Sequence, residues 1–427
     1  MKRYANDGWS EVVKNWARTL GPEGLAQLPA SFRALMVREF VRLNPSASNF
    51  LSMAAECFKA GMLWPAYAAA STAHEMGDAD AHLILREVLR PPPPQMATVE
   101  ITTACNLRCP HCALQHTPED FPTRQMMSLA DFRRVWSAIG LPSTLVVVGQ
   151  GETLLHPHWR EIVAHARMNG ARTALVDTNG SFPMDADALV ESGLTRIIFS
   201  IDGVDQASYE RYRVGGDFAL ALGNLRATVA AARRIGPSAP QIGWKFIMFR
   251  HLEHRRAEAA ALAKDIGVHI LFEPPTVKGA RTPAEAAEWI PDDPRYHRGE
   301  FWARGRLYPA ARRTYPHCTV PLTQVDVLVD GSVKFCCAAS RSVSIGNAIT
   351  AEDFIADCWH SDAAVELRRL ALEDRRTAPA CDGCSMAFAH HGSYLAGTPW
   401  ADADEDPWSV PADERVSIVD LLRRYKT

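Results

Sequence analysis

No run in this sequence approaches the roughly 18 consecutive apolar residues that a helix needs to cross a bilayer. The opening residues, MKRYANDGWSEVVKNW, lack the apolar stretch and the small-residue cleavage site of a secretory leader. An excess of one charge is also lacking. The net charge over 427 residues is −3, which leaves no sequence-wide basic signature for nucleic acid or a membrane surface. These absences set the expectation of a cytoplasmic chain with neither nucleic acid nor membrane as a partner. The apolar share of 47% and the charged share of 22% are those of an ordinary globular protein. The length allows one large core with appendages, or two to three domains.

Cysteine, by contrast, is plentiful. Ten cysteines in a cytoplasmic chain argue for metal or redox chemistry, because disulfides seldom persist there. Cys105, Cys109 and Cys112 lie together, and Cys318, Cys336, Cys337, Cys381 and Cys384 group in the last third. Cys57 and Cys358 stand apart and read as small buried hydrophobes.

The chain changes character along its length. Residues 1–90 read as a helical N-terminal domain, in which GMLWPAYAAASTAHEMGDADAHLILREVL resembles one helical hairpin of the tetratricopeptide kind. A proline-rich linker follows over 91–97; its four successive prolines cannot be helical. From residue 98 to 278, short apolar runs alternate with amphipathic helices. The expected strands are 96–102, 144–148, 173–178, 196–202, 242–249 and 268–273, and the expected helices are 128–139, 158–169, 185–191, 218–234 and 253–266. Such alternation specifies a parallel sheet covered by helices, an α/β fold. Six units suggest a partial (β/α)6 barrel, whose sites lie at the carboxyl ends of the strands. Residues 279–316 read as an irregular, arginine-rich connection. A hairpin turning at Asp330-Gly331 opens a small C-terminal module over 317–395, with two short helices around 351–359 and 362–373. Residues 396–427 form a tail with an amphipathic helix near 413–425.

In EITTACNLRCPHC, three cysteines sit on the loop leaving the first strand. Thiolates are the usual ligands of iron–sulfur clusters, and three of them leave one iron of a cubane open to chelate a small molecule. A zinc site completed by His111 or His116 is the other reading of this loop. With its three- and two-residue spacings, the triplet resembles the motif of the radical S-adenosylmethionine superfamily, and the likeness runs strand by strand over roughly residues 96–275. Gly149, Gln150, Gly151 and Glu152 resemble the family's glycine-rich loop, which holds the methionine amino group, although Gln150 stands where glycine is common. Thr178, Asn179 and Gly180 sit where the family contacts the cofactor. Ser200, Ile201, Asp202 and Gly203 occupy the positions of carboxylate and ribose contacts. Tyr212 and Arg213 precede Gly215-Gly216 much as in relatives. The resemblance implies a [4Fe–4S] cluster on Cys105, Cys109 and Cys112, bound S-adenosylmethionine, and a flavodoxin- or ferredoxin-like electron donor.

Cys318, Gly331, Cys336 and the Cys381/Cys384 pair resemble the auxiliary-cluster module called SPASM in a shortened, twitch-like form, since no cysteine follows Cys384. This implies a second, auxiliary [4Fe–4S] cluster on Cys318, Cys336, Cys381 and Cys384. Cys337 is the alternative to Cys336, His390 is a further candidate ligand, and a zinc ribbon-like site uses the same four thiolates. The implied activity is reductive cleavage of S-adenosylmethionine to a 5′-deoxyadenosyl radical that abstracts hydrogen from a carbon. Oxidation or epimerisation of a small hydroxylated, sugar-like substrate is one outcome, and modification of a ribosomally made peptide is the alternative. The N-terminus reads as helical, with no winged-helix peptide-recognition region, and this leans towards the small molecule. Cys337 and Cys358 are candidate hydrogen donors for epimerisation. Arg281, Arg295, Arg298, Arg304, Arg306, Arg312 and Arg313 are candidates for binding anionic groups or simply a solvated loop. Lys245, Glu273 and Arg250 are expected near the substrate.

Overall fold

The computed structural model describes residues 45–60, 62–116, 124–277, 279–297, 300–303, 306–309, 318–336, 343–381 and 384. The final helix expected near 413–425, together with Cys337 and His390, lies outside the described residues. The chain divides between Pro92 and Pro93 into two compact units. No helix among the described residues is long and apolar enough to cross a membrane.

Among the described residues, the first unit contains three helices, α1 (Ala47–Lys59), α2 (Leu63–Glu75) and α3 (Ala81–Leu89). The Ser46 hydroxyl accepts from the Asn49 N–H and caps α1, a contact of about 0.5–2 kcal/mol. Ala66, Ala69, Ala70 and Ala73 are fully buried along α2. Side chains this small let helices approach closely, and α2 and α3 form the hairpin that the repeat-like segment suggested.

The second unit is built on one open sheet of order β10-β9-β1-β2-β3-β4-β5-β6. Strands β1 (Met96–Val99), β2 (Thr144–Val147), β3 (Thr173–Thr178), β4 (Arg196–Ser200), β5 (Gln241–Ile247) and β6 (His269–Glu273) pair in parallel, each with the next in sequence. Between them run α4 (Ala113–His116), α5 (Leu129–Ala138), α6 (Trp159–Met168), α7 (Ala186–Val190), α8 (Gln206–Glu210), α9 (Phe218–Ile235) and α10 (Arg256–Ile266). The helices expected from 128 and 185 start a residue late, because Ser128 and Asp185 accept the third helical N–H as caps; Asp217 caps α9 in the same way, and that helix starts at 218 as expected. The helix expected from residue 253 opens as a 3-10 turn over Arg250–Arg255.

Alternation along the strands separates two faces. Val99, Val147, Val176, Phe199 and Phe246 meet Trp136, Ile162, Leu225 and Ala263 of the helices in the main core. The opposite face carries a small apolar patch of Met96, Val146, Leu175 and Ile198.

Two features depart from the expected plan. Residues 279–316, expected to be irregular, contain α11 (Pro283–Ala287) and an antiparallel hairpin of β7 (Glu300–Ala303) and β8 (Arg306–Pro309). The C-terminal hairpin of β9 (Gln324–Val327) and β10 (Val333–Lys334) does not stand alone. β9 pairs in parallel with β1, which widens the six-stranded sheet to eight. Gly331 sits at the hairpin turn with φ near +85°, a conformation costly for any residue with a Cβ. A single π-helical turn (Ile355–Trp359) and α12 (Asp362–Asp374) then complete the described C-terminal part.

Candidate functional site

The loop after β1 carries Cys105, Cys109 and Cys112, and hydrogen bonds from neighbouring strand ends hold it in place. The Glu152 N–H donates to the Ala104 carbonyl at 2.8 Å, and the Arg108 N–H to the Val214 carbonyl at 3.0 Å. Asn106 donates to the Ser181 carbonyl at 2.8 Å and accepts from the Asn179 side chain at 2.9 Å. Thus the cysteine loop is tied to the loops after β2, β3 and β4. The loop after β2 comes especially close: a Cβ on Gly151 would lie 2.4 Å from the Thr102 carbonyl oxygen and 2.8 Å from that of Ala104. Only glycine fits there.

All three thiols are held above the usual cysteine range. Burial pushes Cys105 up to about 11, with the charges of Glu152, Cys109 and Cys112 adding to it. Burial also raises Cys109 and Cys112, and the Arg213 charge works against it at both. Three mutually interacting thiols, costly to ionise alone, are a donor set that a cationic metal cluster would stabilise as thiolates. Among the described residues no three His, Cys, Asp or Glu side chains gather tightly enough to hold a single metal ion.

The expected cofactor residues line the same rim. Gln150 accepts from the Cys112 thiol at 3.8 Å, and its N–H donates to Glu100 at 3.0 Å. Glu152 is buried and accepts from the Asn179 N–H at 2.7 Å, the Thr178 hydroxyl at 2.9 Å and the Leu154 N–H at 3.3 Å. Burial outweighs these bonds and raises its carboxyl to about 7. Glu152 therefore joins the loops after β2 and β3, beyond the amino-group contact that the resemblance suggested. Ser200 ends β4, and Asp202 beyond it is fully buried. Asp202 accepts from Arg213 and from the Ile247 N–H, both at 2.6 Å. Arg213 thus bridges Asp202 and the cysteine loop.

Beside this rim lies an aromatic cluster that was not apparent from the sequence. The His111 ring meets Trp289 edge-on at 4.8 Å between centroids, Tyr212 and Phe249 lie 4.2 Å apart, and Phe249 and Trp289 lie 5.3 Å apart. These residues come from four separate loops, so no local pattern announces them. Phe249 and Tyr212 are buried, and His111 and Trp289 keep part of their surface exposed beside the cysteine loop.

On the face of the sheet opposite the main core, Lys245 of β5 forms an ion pair with Asp177 of β3. Burial disfavours the Lys245 charge, but Asp177 and then Glu273 outweigh it and hold the ammonium above the usual lysine range. Lys245 and Glu273, expected near the substrate, share this face with Asp177, which the sequence did not single out. Arg250 does not join them: it is exposed and bonds to Asp292 and the Ile290 carbonyl. Arg295 is likewise paired outward, with Asp293. Arg298, Arg304, Arg312 and Arg313 lie outside the described residues.

In the C-terminal part, Cys318 and Cys384 lie within electrostatic reach of one another. Burial pushes the Cys318 thiol up to about 11, the nearby Cys384 raises it further, and Arg375 opposes the shift. The Cys384 N–H donates to the Cys381 carbonyl at 3.1 Å, which brings that pair into one turn. Cys336 follows Phe335, whose ring packs edge-on against Trp359 at 6.0 Å. Cys358 is buried against Gly346.

Comparison with known proteins fits this arrangement. The family model described as Radical SAM superfamily matches residues 99–235, and the SPASM model, described as an iron-sulfur cluster-binding domain, matches residues 318–385. Together they imply [4Fe–4S] clusters and S-adenosylmethionine as cofactors. Among curated proteins, the chain is 32% identical over 113 residues to a GTP 3′,8-cyclase of Chlorobaculum tepidum, covering 26% of this chain and 34% of that one. It is 30% identical over 120 residues to an AdoMet-dependent heme synthase of Nitratidesulfovibrio vulgaris, covering 27% and 31%. The chain therefore spans about a third of the length of these relatives. Solved structures with likeness include BtrN in complex with AdoMet and 2-DOIA, at a TM-score of 0.43, 16% identity and coverage of 70% of this chain and 97% of that one. Streptococcus suis SuiB has a TM-score of 0.47, 10% identity and coverage of 79% and 83%.

Proposed function

The chain carries a radical SAM domain joined to a SPASM iron–sulfur domain, and from that premise we propose that it is an enzyme abstracting hydrogen from a carbon of a small, hydroxylated substrate. The observation that carries the reading is the convergence of Cys105, Cys109 and Cys112 with Gln150, Glu152 and Arg213 at the carboxyl rim of the parallel sheet.

When bound and reduced, the first cluster supplies the electron that cleaves S-adenosylmethionine to methionine and a 5′-deoxyadenosyl radical. Cys105, Cys109 and Cys112 would hold that cluster. Glu152 fixes the loop after β2 against Thr178 and Asn179, so the rim is already shaped before the cofactor arrives. Asp202 aims the Arg213 guanidinium across the site, a cation suited to a carboxylate. The partly exposed His111 and Trp289 rings, backed by the buried Tyr212 and Phe249, provide an apolar surface for a flat heterocycle and exclude water beside it. Asp177, Lys245 and Glu273 supply charged hydrogen-bonding groups on the face opposite the main core, which suit a hydroxylated molecule better than an apolar one. In the second domain, Cys318, Cys336, Cys381 and Cys384 would hold the auxiliary cluster. The electron donor in this reading is a small flavodoxin- or ferredoxin-like protein.

The test uses anaerobically reconstituted, dithionite-reduced protein given S-adenosylmethionine. Methionine and 5′-deoxyadenosine form together, and the Cys105→Ala, Cys109→Ala and Cys112→Ala variants form neither. Normal 5′-deoxyadenosine formation by the triple variant would overturn the reading. For the substrate class, deuterium carried into 5′-deoxyadenosine from carbon-deuterated polyols and amino-polyols supports the proposal, and deuterium arriving only from peptides sinks it.

A further inference from the structure

Two arginines on α12 and at its end are almost wholly buried, and they are used differently. Arg368 donates to the carbonyls of Pro321 at 2.9 Å and Trp359 at 2.6 Å, and packs over the Trp359 ring at 4.1 Å and the Phe335 ring at 4.9 Å. Backbone acceptors and ring faces compensate its charge, so it braces the fold. Arg375, 1% exposed, donates through Nη1 to the Cys384 sulfur at 3.6 Å. The chain is wound to make this contact. Turns from Ala378 to Arg375, from Cys381 to Ala378 and from Cys384 to Cys381 each close on an N–H to carbonyl bond of 3.0–3.2 Å, and they carry Cys384 back to the helix end.

A cation at a helix C-terminus is favourable in itself, but that benefit needs no burial. The neighbouring Arg376 has the same benefit while exposed, paired with Asp374. The inward turn of Arg375 towards sulfur therefore needs its own explanation. Hydrogen bonds to the sulfurs, net charge and solvent exposure set the potential of an iron–sulfur cluster. A guanidinium removed from water acts on its neighbours with little screening.

We propose that Arg375 is a positioning residue that raises the reduction potential of the auxiliary cluster, by donating a hydrogen bond from a buried, charged guanidinium to the Cys384 sulfur. The donor draws electron density from the sulfur, and its charge stabilises the state that holds one more electron. The inference rests on the reading that Cys384 is a cluster ligand, and the experiment tests that reading separately.

Full-length protein lacking the first cluster (Cys105→Ala, Cys109→Ala and Cys112→Ala together) is reconstituted anaerobically, so that only the auxiliary cluster contributes signal. Iron and sulfide are counted, and the midpoint is found by titration with dithionite followed by electron paramagnetic resonance. In Arg375→Gln the iron count stays and the midpoint falls; in Arg375→Lys, which keeps the charge but loses the fork, it lies between the two. An Arg375→Gln variant with full iron and an unmoved midpoint overturns the proposal. If Arg375→Gln loses its iron, Arg375→Met takes its place under the same criterion. Loss of iron from both neutral variants also overturns the tuning role, because Arg375 then merely holds the loop. A Cys384→Ala variant with undiminished iron and an unaltered spectrum defeats the ligand reading instead.

Discussion

Glu152 stands at a crossing of two demands. A buried carboxylate is costly, and burial raises this one to about 7, yet three protein donors converge on it. Its removal leaves the Asn179 N–H and the Thr178 hydroxyl without their acceptor in a buried site, a loss of roughly 1–3 kcal/mol. Glu152→Ala is therefore expected to lower the urea midpoint of the protein and also to raise the S-adenosylmethionine concentration needed for half-maximal 5′-deoxyadenosine formation. A variant of native stability with weakened cofactor binding would show that the carboxylate serves the cofactor alone. The sequence marked Glu152 through its place after a glycine-rich turn, but it did not reveal which partners would claim the side chain. Glu100 was not marked by any motif, yet its carboxylate accepts from the N–H groups of Gln150 and Val329, some fifty and two hundred and thirty positions away.

Among the elements, the strands were the most legible. β3 falls on the residues read from its apolar run, while β1 and β4 stop short of the expected 102 and 202. The extra residues are apolar or buried and so look like strand, yet Asp202 turns inward to meet Arg213. The β7–β8 hairpin was missed because its Trp, Tyr and Arg residues give no clean alternation; the Arg304-Gly305 pair was the available signal. The loop after β2 permits a sharper test. Gly151→Ala pushes a methyl group into the Thr102 and Ala104 carbonyls, with a strain of about 1–3 kcal/mol. The strain falls on the chain that holds Cys105. The variant should keep its auxiliary iron and lose iron from the first cluster, read as iron per chain alongside the spectrum of each cluster. Full loading of both clusters would mean that the two loops part without disturbing the cysteines.

At the scale of the second unit, the matched radical SAM and SPASM regions share one sheet. β9 donates and accepts along the edge of β1, and the Glu100 N–H donates to the Val327 carbonyl at 2.8 Å. Sequence reading separated them because a hairpin two hundred positions downstream looks self-sufficient. A parallel partner at that distance leaves no local trace. Truncation after residue 316 would leave β1 as an uncovered edge, a known route to aggregation. The shortened protein is expected to elute as high-molecular-weight material and to fail to retain the first cluster, although all three of its cysteines are present. A monodisperse fragment that loads iron normally would show that β9 is dispensable.

The pairing of Met96 with Gln324 also sets a clock. At roughly 5–20 residues per second of synthesis, the two strands leave the ribosome about ten to forty-five seconds apart. During that interval the nascent chain presents Cys105, Cys109 and Cys112 beside an unfilled edge, before its last third exists. If the protein truncated after residue 316 fails to retain its first cluster, iron loading must follow synthesis, and the order in which the cell makes the chain and delivers its metal becomes part of how the protein is assembled.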